Sequence, residues 1–356
     1  HGFGAAEFER AKRRALRNAE QSAREADKTD GADLAAEMTR NFFEGEFMCG
    51  RQVELELMTR FMPTITLAEL AALRAAFCAP DTRVVTIAGP DAATLPTEAQ
   101  VRAVLAEVAA EAVPAWTDSV GDRALIATAP TPGAVVKEGA IAEAGLTTWV
   151  LANGATVILK PTDFEADAVY LNATSQGGSS LFADRDLPTG LVVDDVVGAM
   201  GLGDFAPRDL AKALSGKVAR VYPVISEIGE SVRGNAAASD VETMLQLTHL
   251  TFTAPRRDSA QFAIWQKGAA EDAREWQRLP EVAFEEEMAR FTSGGNQRRM
   301  RMTESDVGKV DLDRALALYA ERFANAADFT FVVVGNIDLA TIKPLVERYL
   351  GSLPAK

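Results

Sequence analysis

Two stretches of the chain, ITLAELAALRAAFCAPDTRVVTIAGPDAATLPTEAQVRAVL and VDLDRALALYAERFANAADFTFVVVGNIDLATIKPLVERYL, follow one plan. Each reads as a capped helix, a short acid-containing turn, a β-rich run ending in Gly-Pro or Gly-Asn, and a final helix. Gly89 falls on Gly335, an offset of 246 residues. That period is far longer than a solenoid repeat and points to duplicated domains. A length of 356 residues also favours two bodies over one. We therefore expect residues 1–126 to be the C-terminal part of one copy, 127–145 a linker, and 146–356 a complete second copy.

Within the first part, Phe8, Ala11, Ala15, Ala19, Ala23 and Ala26 recur at steps of three and four, an amphipathic helical stripe. DLAAEMTRNFFEGE, RQVELELMTRFM and TLAELAALRAAF read as further helices, with Pro63 before the last and Thr66/Glu69 as its capping box. TRVVTIAGP reads as a buried strand and turn, followed by the helix TEAQVRAVLAEVAAEA. ATAPTPGAVVKEGAIAEAG is rich in Ala, Pro and Gly without sustained period, hence the linker. The chain opens HGFGAAEFERAK without an initiator Met or signal peptide, as a piece of a longer polypeptide would.

The second part opens on strands. TTWVLANGATVILKPT places two β runs about Asn153-Gly154, a pair suited to a two-residue hairpin, and AVYLNATSQ runs on to Gly177-Gly178. Helices are expected over 188–200, 206–215, 239–254 (capped by Ser239 with Glu242), 258–276, 280–292 and 311–323. FTFVVVGNID and LATIKPLVERYL close the body with a strand and a helix. Strands, then many helices, then a returning strand describe an α+β fold: helices on one face of a mostly antiparallel sheet.

Several functions are disfavoured at once. Fifty-one acidic against 37 basic residues give a net charge of −14, which repels phosphate backbones, so no nucleic-acid partner is expected. No run is long and apolar enough to span a bilayer. Cys49 and Cys78 have no ligand spacing and read as two separate buried thiols. His249 is the only histidine besides His1; Phe252 and Thr253 occupy the following helical steps, so no second ligand is presented with it. No G-x-S-x-G elbow supplies it with a nucleophile. Asp194 and Asp195, adjacent on a helix, point apart and read as its wet side. Gly201-x-Gly203 is too short for a dinucleotide fingerprint, QRRMRM at 297–302 reads as a solvated loop, and Gly177-Gly178 as a plain turn. By residues alone this is a duplicated α+β protein with no catalytic constellation.

Four stretches together resemble the M16 metallopeptidases (insulinase/pitrilysin, the inverzincins): HGFGAAEFERAK, ITLAELAAL…RVVTIAGP, WVLANGATVILKPTDFEADAVYLNATSQGGSS and ALYAERFANAADFTFVVVGNIDLATIKPLVERYLGSLP. The resemblance covers essentially the whole chain and implies a LuxS/metallohydrolase-like fold, four such domains forming the full-length protein. Family members carry H-x-x-E-H on a helix of the first domain, where it binds zinc with a downstream Glu, and the motif Glu serves as base. Laid over TGLVVDDVVGAM, that helix puts Val193, Val196 and Val197 where His, Glu and His would stand. Valine offers zinc no lone pair.

The resemblance thus implies the end of domain two in 1–126 and a non-catalytic domain three in 146–356. No catalytic, cofactor-binding or metal residue is expected in the segment itself. Zinc is expected in the N-terminal domain of the full-length protein, with the remaining M16 domains and a peptide or unfolded polypeptide as partners. The segment would form part of the wall enclosing the substrate. The family's Arg/Tyr substrate anchors belong to the fourth domain, so Arg314 and Tyr319 are not they. Relatives of this type imply a periplasmic or cell-envelope location. The alternatives are a segment of an inactive M16-like scaffold, or an independent peptide-binding protein.

Overall fold

A computed structural model describes residues 3–77, 83–89, 95–112 and 123–356. The first part is helical: α1 (Ala5–Arg24), α2 (Gly31–Glu44), α3 (Arg51–Phe61), α4 (Leu67–Phe77) and α5 (Glu98–Ala110). The expected capping box is present at α4, where Glu69 accepts from the Thr66 N–H at 2.7 Å and the Thr66 hydroxyl accepts from the Glu69 N–H at 3.3 Å. Among the described residues of this part only Arg17 and Glu37 are buried, while Phe42, Phe43, Phe47 and Phe77 stand largely in solvent. The total accessible surface, 21185 Å² for 38.1 kDa, exceeds the ~14,000 Å² of a compact chain of that mass.

The reading of TRVVTIAGP as a buried strand does not hold. Residues 83–89 carry no strand pairing and are exposed, Val84 at 88%. A β-rich run becomes a strand only when another strand satisfies its backbone groups, and among the described residues none lies against it. The linker reading also needs correction. Val135–Ile141, inside 127–145, forms strand β1 and pairs antiparallel with β2 (Leu146–Leu151).

Next in the second part come β3 (Thr156–Pro161), β4 (Val169–Gln176), α6 (Leu187–Gly190), α7 (Val193–Ala199) and α8 (Pro207–Ala213). They are followed by β5 (Ala219–Ile225), β6 (Gly229–Ala236), α9 (Val241–Thr253), α10 (Ser259–Trp276) and α11 (Pro280–Ser293). The chain closes with α12 (Glu304–Val307), α13 (Leu312–Phe323), β7 (Thr330–Gly335) and α14 (Leu339–Tyr349). The sheet order is β1-β2-β3-β7-β4-β6-β5. Only β3 and β7 run parallel; every other neighbour is antiparallel, the α+β architecture expected.

Alternation along the strands decides the two faces. In β7, Phe331 and Val333 are fully buried under the helices while Val332 and Val334, which alternate with them, are only half-buried. Phe252 on α9 meets Phe323 of α13 and Phe329 beside β7 edge-on, at 5.4 and 4.9 Å between ring centres. Helices therefore cover one face of the sheet, and among the described residues the other is open.

Local chemistry differs from expectation at four places. The 146–161 hairpin has three loop residues, not two: Leu151 N–H bonds Ala155 O, and Gly154 takes the left-handed φ of +86° that such a loop requires. The helix expected over 188–200 is broken between α6 and α7, just after Gly190, whose absent side chain leaves room for the Phe182 ring. Gly177-Gly178 is more than a plain turn. Gly178 has φ +64°, and a Cβ there would lie 2.3 Å from Ser226 O, so the β5–β6 hairpin closes against bare backbone. Ser239 does not cap α9, because its hydroxyl accepts instead from Arg17 Nη2 at 3.0 Å.

That last contact belongs to the joint between the two parts. Arg17, buried on α1, also reaches Asp167 Oδ2 at 3.1 Å and has Asp240 at 3.8 Å. Asp167 is 1% exposed and takes two further donors, Arg24 Nη1 and Ala238 N–H, both at 3.1 Å. Lys217 and the Val218 N–H bond Asp240. The helix stripe seen in sequence explains the helix; this polar lock explains where it sits.

Candidate functional site

The place where the resemblance would put a motif helix is α7. Its three valines are in the core: Val193 and Val196 are 0% exposed and Val197 4%. Val196 packs with Met200, Val310, Leu312 and Ala315, so the side of α7 that would have to present ligands is pressed against α13. Zinc needs three or four lone-pair donors converging. These side chains have none, and among the described residues no three of His, Cys, Asp and Glu are grouped so that they could hold a metal ion. The residues present do not fit the metal.

Asp194 and Asp195 do point apart, but only Asp195 is on the wet side. Asp194 is half-buried, and its Oδ2 accepts from the Ile225 N–H at 3.0 Å, tying α7 to the end of β5. Burial raises its pKa, the Ile225 bond opposes that, and the neighbouring Asp195 charge adds to the rise.

His249 is half-buried on α9. Its Nδ1 lies 3.0 Å from Tyr349 O, to which an Nδ1–H donates, and 3.3 Å from Ser352 Oγ. Burial lowers the imidazole pKa, and the Tyr349 bond partly counters it. The ring fastens the end of α14 to α9, beside Tyr349, whose hydroxyl donates to Glu242 at 2.8 Å and accepts from Gln246 at 3.0 Å. This is a packing histidine, in the position its helical phase indicates.

The remaining candidates are also engaged in structure. Gly201 and Gly203 have φ of +92° and +55° and make a tight turn in which Leu202 and Phe205 exchange hydrogen bonds. In the 297–302 segment Arg298 donates to Ser179 O and Phe182 O, both at 2.7 Å, Arg299 pairs with Glu227 and Arg301 with Glu285. Those contacts tie the cations to the fold. Arg314 is committed to Asp186 at 2.8 Å, and the buried Tyr319 hydroxyl donates to Thr251 O at 2.9 Å. Cys49 is a half-buried free thiol; Cys78 lies outside the described residues.

What sequence reading missed is the open face of the sheet. Tyr170, Asn172, Tyr222, Arg233, Asn235 and Val332 line a groove of about 420 Å³ there. The signal was present as period-two alternation, Arg220 with Tyr222 in ARVYPV and Arg233 with Asn235 in SVRGNA, but only the register brings these pairs side by side.

Comparison with known proteins fits this picture. Residues 307–356 match the family model described as the peptidase M16 inactive domain. The chain is 24% identical over 99% of its length to an Arabidopsis thaliana protein named "Zinc protease PQQL-like", of which it covers 35%. It is 24% identical over 58% of its length to the "Probable zinc protease PqqL" of Escherichia coli K12, of which it covers 22%. The crystal structure of the periplasmic protease PqqL from E. coli superposes with a TM-score of 0.59 at 21% identity, over 100% of this chain and 39% of that one. A mutant of the ferredoxin protease FusC, in complex with Arabidopsis ferredoxin, superposes at 0.57 with 17% identity, over 99% and 40%. The chain thus spans about a third or less of the curated relatives it matches. No helix among the described residues is long and apolar enough to cross a membrane.

Proposed function

We propose that this chain belongs with the M16 peptidases and is a non-catalytic middle segment of a zinc-dependent endopeptidase. In this reading 146–356 is domain three, residues up to about 126 are the end of domain two, and the two together form part of the wall around the substrate. One observation carries it: Val193, Val196 and Val197 fill the core where a peptidase domain would hold its metal. Zinc, held by the N-terminal domain of the whole protein, would supply the hydrolytic chemistry. The segment's own residues would orient and confine the peptide.

The repeat supports the same division. β7 is a central strand, flanked by β3 and β4. Residues 84–89, its counterpart at the 246 offset, are unpaired and exposed here. Equivalent flanking strands would come from the rest of domain two and cover Val84, Val85 and Ile87. A protein substrate is in keeping with the ferredoxin bound by one structural relative. Periplasmic placement is the expectation carried by another.

Cleavage of an internally quenched peptide tests this. The 356-residue chain with added zinc should be inactive, whereas the longer polypeptide extended upstream through a domain bearing H-x-x-E-H should cut it. Zinc-dependent turnover by the chain alone would defeat the assignment.

A further inference from the structure

The sheet face away from the helices gathers basic side chains from several strands. The register aligns Ile158, Val332, Asn172, Arg233 and Tyr222 in one row across five strands. Beside it run Lys160, Val334, Tyr170, Asn235 and Arg220. Lys137 on β1, opposite Val150, adds a fourth cation on the same face. No strand residue of this face is acidic. The two glutamates in the strands point the other way: Glu138 lies opposite Trp149 and pairs with Lys343, and Glu230 is buried under the Gly178 N–H at 2.7 Å. A carboxylate outside the strands, Glu165, accepts from the Tyr170 hydroxyl at 2.9 Å. This lies in a chain with 51 acidic and 37 basic residues, so the face is a local positive field on a negative molecule.

Unlike the structural cations of the 297–302 segment, Lys137, Lys160, Arg220 and Arg233 have no ion-pair partner among the described residues. We propose that this face binds an acidic, extended polypeptide segment. The proposal rests on the chamber-wall reading and names the substrate class that wall would favour. Charge complementarity is the main argument: the cations are exposed or half-buried and uncommitted, so a carboxylate gains their attraction without displacing an existing pair.

The remaining groups suit a peptide. Asn172 and Asn235 each present a donor and an acceptor to backbone amides, and Val332, Val334 and the half-exposed rings of Tyr170 and Tyr222 offer apolar contact between the charges. From Lys160 to Arg220 is four inter-strand steps, roughly 19 Å, the reach of about six extended residues. A nucleic acid would meet the same cations, but the net charge of −14 opposes its approach along a whole polyanion.

Fluorescence anisotropy on the full chain tests this with three labelled probes: a short unstructured peptide of Asp, Glu, Ala and Phe; its counterpart with Lys and Arg replacing the acids; and oligo(dT). We expect the acidic peptide to bind best and to weaken with added salt. Joint Arg220→Glu and Arg233→Glu should raise its Kd about tenfold or more. The pair Arg220→Gln and Arg233→Gln should give a smaller loss in the same direction, with circular dichroism confirming the fold of each variant. Lys267→Glu, on α10, should change nothing. Equal binding of both peptides, tighter binding of oligo(dT), no binding at all, or insensitivity to both arginine pairs would each overturn the proposal. Those outcomes leave the chamber-wall reading to its own zinc-dependent cleavage assay, which no probe here reports on.

Discussion

Arg17→Met makes the sharpest test of how the two parts are joined. The substitution keeps most of the apolar stem and removes the guanidinium. What is left behind decides the cost. Asp167, 1% exposed, retains Arg24 and the Ala238 N–H; Asp240, 4% exposed, retains Lys217 and the Val218 N–H. Removing one partner of a buried pair costs about 3–5 kcal/mol. Because each anion keeps other donors, we place Arg17→Met at the low end, about 3 kcal/mol.

Arg24→Met removes a donor to the same Asp167, but the Arg24 side chain is 48% exposed, and the loss should be about 1 kcal/mol or less. Arg17→Lys should fall between, since one ammonium cannot reach Asp167 and Ser239 with the geometry of a fork. Hydrogen exchange measures this locally. With Arg17→Met the α1 amides should lose roughly a hundredfold of protection while those of β4 and β7 hold. Equal effects of Arg17→Met and Arg24→Met would refute the assignment of the joint to a buried network.

Titrating groups supply two more tests. Asp194, whose pKa burial raises, is more easily protonated folded than unfolded, so its stabilising share is full at low pH and is lost as pH rises through the folded value. Asp194→Asn, which keeps an acceptor for the Ile225 N–H, should therefore stabilise the chain at neutral pH and give no advantage in acid, as read from urea unfolding at pH 7 and pH 3. His249, whose pKa burial lowers, takes up its proton in the unfolded state first. Stability should fall as pH drops below 6.5, and His249→Asn should flatten that slope in the same assay.

Much of the second part is legible in sequence because its signals are local. The alternation in WVLANGATVIL, the helix period of LDRALALYAERF and the Asn-Gly loop all report short-range geometry. Several departures from expectation share a physical cause: they depend on a group outside the stretch itself. TRVVTIAGP has strand composition but lacks a ladder partner among the described residues. KEGAIA resembles a linker until β2 pairs with it. Ser239 has cap chemistry, but a guanidinium 222 residues away takes its oxygen. Gly178 reads as a turn until the β5–β6 hairpin arrives against it. At the site the balance is similar. The valines of α7 and the helical phase of His249 are visible in one dimension, but the cations of the open face collect only once seven strands have found their register.

Zinc stoichiometry tests the central claim most directly. Purified chain would be incubated with excess zinc, dialysed, and measured by inductively coupled plasma mass spectrometry alongside native mass spectrometry. Buried hydrocarbon at 193, 196 and 197 predicts far less than one retained ion per chain. One tightly held ion, lost on substitution within residues 190–200 or at His249, would contradict it.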